Sequence, residues 1–231
     1  MGKDIINSGF KFNNNIVIYR NEELFKILIH ELIHYYNIDQ FIKEDNKVSN
    51  YLLNYIYNIN TPKKELKIYE ACTETIATIL NIIFFSEKIN MDNLINNLYI
   101  EIVFSLIQNS KLFKYSNIEN SKDIYLKYKK PTKFKQNTFV FEYHYLKSKL
   151  LLNFNNLIKF INNNTKTDEY YINDDDILLN LTIPKINNTN INDFVKLLDE
   201  KDNFDKNLNH IMKTNPDDIN IRMTIIEEQE V

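Results

Sequence analysis

The sequence predicts a mainly α-helical (α+β) domain with a small β element at its N-terminal end. Three observations carry that expectation. Long stretches repeat their apolar residues at helical spacing, one cluster of β-branched and aromatic residues precedes position 20, and 44% hydrophobic content over 231 residues suffices for one sizeable core.

Residues 10–19, with Ile16, Val17, Ile18 and Tyr19, read as a short strand or hairpin. Asn21 followed by Glu22 and Glu23 predicts an N-cap and an acidic first turn, opening a helix that runs to about 36. Leu24, Ile27, Leu28 and Leu32 supply its apolar face. A second helix is expected over 48–57. A third starts at Thr61-Pro62, where Thr caps and Pro takes the first helical position, and runs to about 86. Further helices are expected over 91–108, 138–152, 155–162, 192–199 and 204–212. The expected organisation is one compact domain over 1–164, a peripheral helical lobe of the same domain over 165–214, and an acidic mobile tail over 215–231. Asn runs at 13–15 and 162–164 read as loop filler.

Charge and composition exclude several classes of function. A net charge of -3 offers no basic face for a nucleic acid, and the one basic cluster, Lys127 to Lys135, surrounds Pro131 as a solvated loop. A lone cysteine, Cys72, cannot form an internal disulfide framework, and the opening residues lack a signal-like apolar run, so an intracellular protein is expected. The longest apolar run, 75–85, is shorter than the roughly 20 residues that span a bilayer, so no membrane partner is expected.

The chemistry is concentrated in His30-Glu31-Leu32-Ile33-His34, an H-E-x-x-H sequence inside a predicted helix. At about 100° per residue, positions i and i+4 share one face, so both imidazoles can converge on one tetrahedral Zn2+ ion. Glu31 stands one step around, placed to take a proton from a water molecule without ligating the metal. Two of only four histidines fall at this spacing on an otherwise apolar helix, where unpaired imidazoles and a carboxylate would be costly without an ion. A catalytic zinc site needs a third protein ligand. The extension that would supply a third histidine is absent, because Asn37 and Gln40 stand where Gly and His are required. The next long helix offers Glu70 and Glu74 on one face; one can bind the metal while the other holds a ligand histidine by its second nitrogen.

HELIH followed by E-A-x-x-E on a later helix resembles the gluzincin metallopeptidases, and it also resembles small metalloprotease-like proteins of large DNA viruses. The resemblance covers about residues 21–85. It implies a zincin-like helical core, a zinc-dependent peptidase activity on a peptide or protein substrate, Glu70 as third ligand and Glu74 as the acid that orients His30. Glu stands at 74 where the family more often has Asp, which keeps Glu74 open as an alternative ligand. A viral relationship would place the protein in host cytoplasm or a virion.

Peptide hydrolysis also needs a donor to the developing oxyanion, and Tyr143 and His144 in Phe141-Glu142-Tyr143-His144-Tyr145 are the candidates, against an ordinary aromatic core stripe. Asp39 either supports the site from the helix exit or caps it, Cys72 packs the helix, and His210 is a surface side chain. The rival function is a non-catalytic protein that keeps its metal for stability and serves as a binding or structural component. Glu31 favours the enzyme, since a structural site needs ligands but no base.

Overall fold

The computed structural model describes residues 9–13, 15–19, 23–36, 38–39, 46–61, 65–86, 91–128, 134–163, 165–167, 170–171, 178–179, 182–184, 191–199, 202–214 and 224. It is mainly helical with small strand pairs, as the apolar periodicity predicts. At the front, β1 (Gly9–Phe12) and β2 (Asn15–Ile18) form an antiparallel hairpin in the register Gly9 to Ile18 and Phe12 to Asn15. Asn13 at the turn has φ 54°, a left-handed conformation that Asn tolerates, so this residue is turn chemistry rather than filler.

The hairpin leans on α1 (Leu24–Tyr35), which packs along α3 (Ile68–Phe85). The buried side of α1 is not the expected stripe. Leu24 and Leu28 are exposed, whereas Lys26, Ile27, Ile29, His30, Glu31 and Ile33 are buried. The helix is rolled away from that stripe because its histidines and Lys26 find partners on α3 while Ile29 and Ile33 pack on Ala77. Its start differs too: Glu23 precedes it at φ 62° with no side-chain capping bond, and Asn21, the expected cap, lies outside the described residues.

The second expected helix is α2 (Asn46–Tyr51) continued by a π-helical turn, Leu52–Ile56. A short strand, β3 (Ile59–Asn60), comes next and pairs in parallel with β4 (Phe134–Lys135). Then α3 begins at Ile68, with 65–67 not helical, and Pro62, the expected first helical position, lies outside the described residues. Thr61 Oγ1 does accept the N–H of Glu65 at 2.8 Å, but the next N–H groups go to tertiary partners, Leu66 to Ser49 Oγ and Lys67 to the Glu142 carboxylate. This helix is apolar and long enough to cross a membrane by length and composition, yet 56% of it is buried in the fold and it carries Glu70 and Glu74 on an inward face.

Helix α4 (Met91–Tyr115) runs about two turns beyond its expected end. A π-helical turn, Phe141–Leu146, leads into α5 (Lys147–Leu152), and α6 (Phe154–Asn163) lies beyond it. The extra residue in a π turn changes the direction in which the neighbouring side chains point. Here Phe141 and Tyr145 point into the core, stacked at 4.7 Å, while Tyr143 faces α3. In 165–214, β5 (Thr165–Thr167) pairs with β8 (Thr182–Pro184) and β6 (Tyr170–Tyr171) with β7 (Leu178–Leu179), so the region is not purely helical. Nor is it merely peripheral. Phe194 and Leu198 of α7 (Ile191–Asp199) and Phe204 and Leu208 of α8 (Asp202–Thr214) are fully or almost fully buried in the same core as Leu52, Phe113 and Phe141. Lys149 pins them. Its Nζ donates to the Leu198 carbonyl at 2.7 Å inside a box of Tyr57, Tyr125, Tyr145 and Phe204 rings.

Within 215–231 the described residue is Thr224, and it is completely buried. The expected mobile tail does not hold at this position, since its N–H and hydroxyl both have buried partners.

Candidate metal centre

One face of α1 and the first turns of α3 meet so that three donor atoms converge. His30 Nε2 and His34 Nε2 are 3.0 Å apart, and Glu70 Oε2 lies 3.5 Å from the first and 3.4 Å from the second. Helical spacing brings the two rings together, 4.7 Å between centroids, and the alignment of α3 on α1 brings the carboxylate. Among the described residues this is the group of His, Cys, Asp and Glu donors close enough to hold a metal ion.

The two imidazoles are oriented from behind. His30 Nδ1 hydrogen-bonds Glu74 Oε2 at 3.0 Å, and His34 Nδ1 hydrogen-bonds Asp39 Oδ2 at 2.7 Å. A carboxylate can only accept, so each Nδ1 donates its proton, and each ring, once it has given up any second proton, presents a lone pair at Nε2. Two lone pairs and a carboxylate oxygen then face one point. That donor set repels itself unless a cation sits among it. Ligands about 2.0–2.1 Å from a tetrahedral zinc ion stand about 3.3 Å from one another, and the observed edges of 3.0, 3.4 and 3.5 Å bracket that spacing. The residues present fit a zinc ion.

The electrostatics tell the same story in protons. Burial opposes a charge on His34, but the hydrogen bonds to Asp39 and Glu70 overcome it and push its pKa up to about 9. His30 is likewise raised against its burial by Glu70 and Glu74. Burial works against ionised Glu70 and Glu74 too, yet the two histidines beside Glu70, and Lys26 and His30 beside Glu74, hold both carboxyls well below the usual carboxylate range. The pocket attracts positive charge, and a metal competes with protons for it.

Glu31 is buried beside this cluster, and burial raises its carboxyl, with His30 and His34 opposing. Tyr143 is brought in by the π turn, its hydroxyl donating to Glu70 Oε2 at 3.0 Å and its ring 6.0 Å from His30. His144 is not. It is buried on the Glu74 and Lys147 side, and burial, with the Lys147 charge second, lowers it to about 3, so it is neutral. No hydrogen bond among the described residues joins it to His30, His34 or Glu70. Cys72 is buried with its thiol pushed up by desolvation, which makes it packing rather than a ligand, and His210 is exposed on α8. Glu70 faces the histidine Nε2 atoms and Glu74 stands behind His30, which separates the two roles that the sequence left open.

No family model and no solved structure matches the chain. It is similar to an uncharacterized protein of Acanthamoeba polyphaga mimivirus, 29% identical over a match of 204 residues that covers 83% of this chain and 45% of the viral one. The chain thus spans less than half the length of that relative, whose name describes no activity.

Sequence reasoning missed four contributors. Tyr69, next to Glu70, packs edge-on against His34 at 6.1 Å between ring centroids, and burial and the Glu70 charge push its hydroxyl up. Lys26 forms a buried ion pair with Glu74. It stands one turn before His30, and a lysine on the ligand face of a core helix was the available signal. Lys147 lies 3.9 Å from the same oxygen. Glu142 accepts the N–H of Lys67 at 3.0 Å and the side-chain N–H of Gln136 at 2.9 Å, tying the Tyr143 turn to the start of the helix that carries Glu70. Burial pushes its carboxyl up to about 7.

Proposed function

We propose that the protein is a zinc-dependent hydrolase of the gluzincin type, acting on peptide bonds. The observation that carries this reading is the convergence of His30 Nε2, His34 Nε2 and Glu70 Oε2, with each histidine fixed from behind by its own carboxylate. Three protein ligands leave a tetrahedral ion one open position, which distinguishes a catalytic from a closed structural site. When bound, zinc supplies an electrophilic centre and brings the pKa of a water molecule down to about 7.

The chain's own residues do the rest. Glu31 takes the proton of the attacking water and delivers it to the leaving nitrogen, and the rise of its carboxyl on burial makes it a stronger base than a solvated glutamate. Tyr143 holds Glu70 in the resting site and stands where its hydroxyl can turn to a developing oxyanion. Glu74 and Asp39 keep both ligand histidines in the tautomer that offers Nε2.

The test is zinc content by plasma mass spectrometry on purified protein, wild type beside His34→Ala and Glu70→Ala. About one zinc per wild-type chain, lost in both variants, is expected. Glu31→Gln should keep the metal and lose hydrolysis of a mixed peptide library by at least about 100-fold. A wild type that folds but takes up no zinc refutes the reading; a wild type that holds zinc and cleaves nothing, on any substrate where Glu31→Gln is its control, supports a structural metal instead.

A further inference from the structure

Behind Glu74 lies a chain of buried polar groups that three ligands and two orienting carboxylates do not require. Glu74 Oε1 pairs with Lys26 and lies 3.9 Å from Lys147 Nζ. Lys147 Nζ also donates to Glu101 Oε1 at 3.3 Å. The other oxygen, Glu101 Oε2, accepts the hydroxyl of Thr224 at 2.8 Å, and the N–H of Thr224 donates to Glu23 Oε1 at 3.1 Å. Glu23 immediately precedes α1, and its carboxylate is engaged by Thr224 in place of capping the helix. The path therefore starts at Glu23 just before α1, passes through Thr224, Glu101 of α4, Lys147 of α5 and Glu74 of α3, and returns to α1 at His30.

Every member is buried: Glu101 and Thr224 at 0%, Lys147 at 1%, Glu74 at 1%, Lys26 at 3% and Glu23 at 8% exposure. Thr224 is 123 residues from Glu101 and 201 from Glu23 in the chain. Charges buried this deeply keep their geometry only while each partner stays in place.

We propose that Thr224 is a positioning residue of the metal centre, holding His30 on the metal through Glu101, Lys147 and Glu74. Lys147 is shared between two carboxylates. When Glu101 loses the Thr224 hydroxyl, it draws Lys147 more strongly to itself and away from Glu74 Oε1, which keeps Lys26. The oxygen that fixes His30 Nδ1 then loses its set orientation, and the Nε2 lone pair no longer points steadily at the ion. The inference rests on the metal reading above, and goes beyond it by making a residue near the end of the chain part of metal affinity.

The experiment uses the full chain with Thr224→Val and Thr224→Ser, each in the wild-type and Glu74→Gln backgrounds. Zinc dissociation constants come from competition with a chromophoric chelator, with urea midpoints of the metal-free proteins in parallel. Thr224→Val should weaken zinc binding about threefold to tenfold, below the 10- to 100-fold of groups that touch a ligand directly. Thr224→Ser should restore affinity to within about twofold, and Thr224→Val should add nothing once Glu74 is Gln, because coupled residues are not additive. A Thr224→Val protein with a lower urea midpoint but wild-type zinc affinity overturns the proposal, as does an undiminished effect in the Glu74→Gln background. If Thr224→Val does not fold, Glu101→Gln carries the same expectation. Absence of zinc from the wild type fells the metal reading and this inference together, whereas a zinc-loaded wild type matched by Thr224→Val fells this one alone.

Discussion

Replacing Asp39 by Asn removes the negative charge behind His34 and leaves the side-chain shape almost unchanged. Asp39 is fully buried, and its Oδ2 lies 2.7 Å from His34 Nδ1. A hydrogen bond with an ionised partner contributes about 1.5–3 kcal/mol. With 1.4 kcal/mol for each factor of ten, zinc affinity should fall about 10- to 100-fold, the range for partners that orient a metal-bound histidine. The amide can also offer an N–H to Nδ1, which would move the ring proton to Nε2 and block the ligand position outright. Two readouts check this. Chelator competition at about pH 7.5 gives the affinity. In the metal-free protein, the imidazole titration of His34 should drop from about 9, because one of the groups that raise it is lost while burial, which lowers it, and Glu70, 3.4 Å away, both remain. An Asp39→Asn protein with wild-type zinc affinity and an unmoved His34 titration would refute the reasoning and reduce Asp39 to a helix-exit contact.

The metal-free protein should lose stability in mildly alkaline solution, because the folded pKa of His34 is raised above 6.5 to about 9. Linkage sets the sign: the contribution is fully present below about pH 6.5 and is lost as pH rises through about 9, at most roughly 3 kcal/mol for 2.5 units. Urea midpoints with chelator from pH 6 to 9.5 measure it, and a flat profile would count against the His34 pairing. Zinc affinity should move the other way, rising up to about tenfold per pH unit below 9 as the metal displaces that proton. Tyr143→Phe should weaken zinc only severalfold, by about 1 kcal/mol for one hydrogen bond to Glu70, but lower kcat by about 100-fold or more with KM little changed. An unaltered kcat in the zinc-loaded variant would leave Tyr143 as a support of Glu70 alone.

The helical class, the helix that carries His30, Glu31 and His34, and the placing of Glu70 and Glu74 together on one later helix were all legible in the residues alone. They obey local rules: apolar residues at helical spacing need a buried face, and side chains four residues apart share one side of a helix whatever surrounds it. Which way those helices roll is a property of the packed fold. Leu24 and Leu28 look like core but face solvent, because α1 turns to set Lys26 and both histidines against the carboxylates of α3. Packing also decided that Glu70 faces the Nε2 atoms while Glu74 stands behind His30, and that Tyr143 rather than His144 reaches the cluster, since a π turn inserts one residue that helical periodicity does not anticipate. The burial of Thr224 could not be read at all from a polar residue in an acidic stretch, because its partners lie more than a hundred residues away and only the packed fold brings them to it.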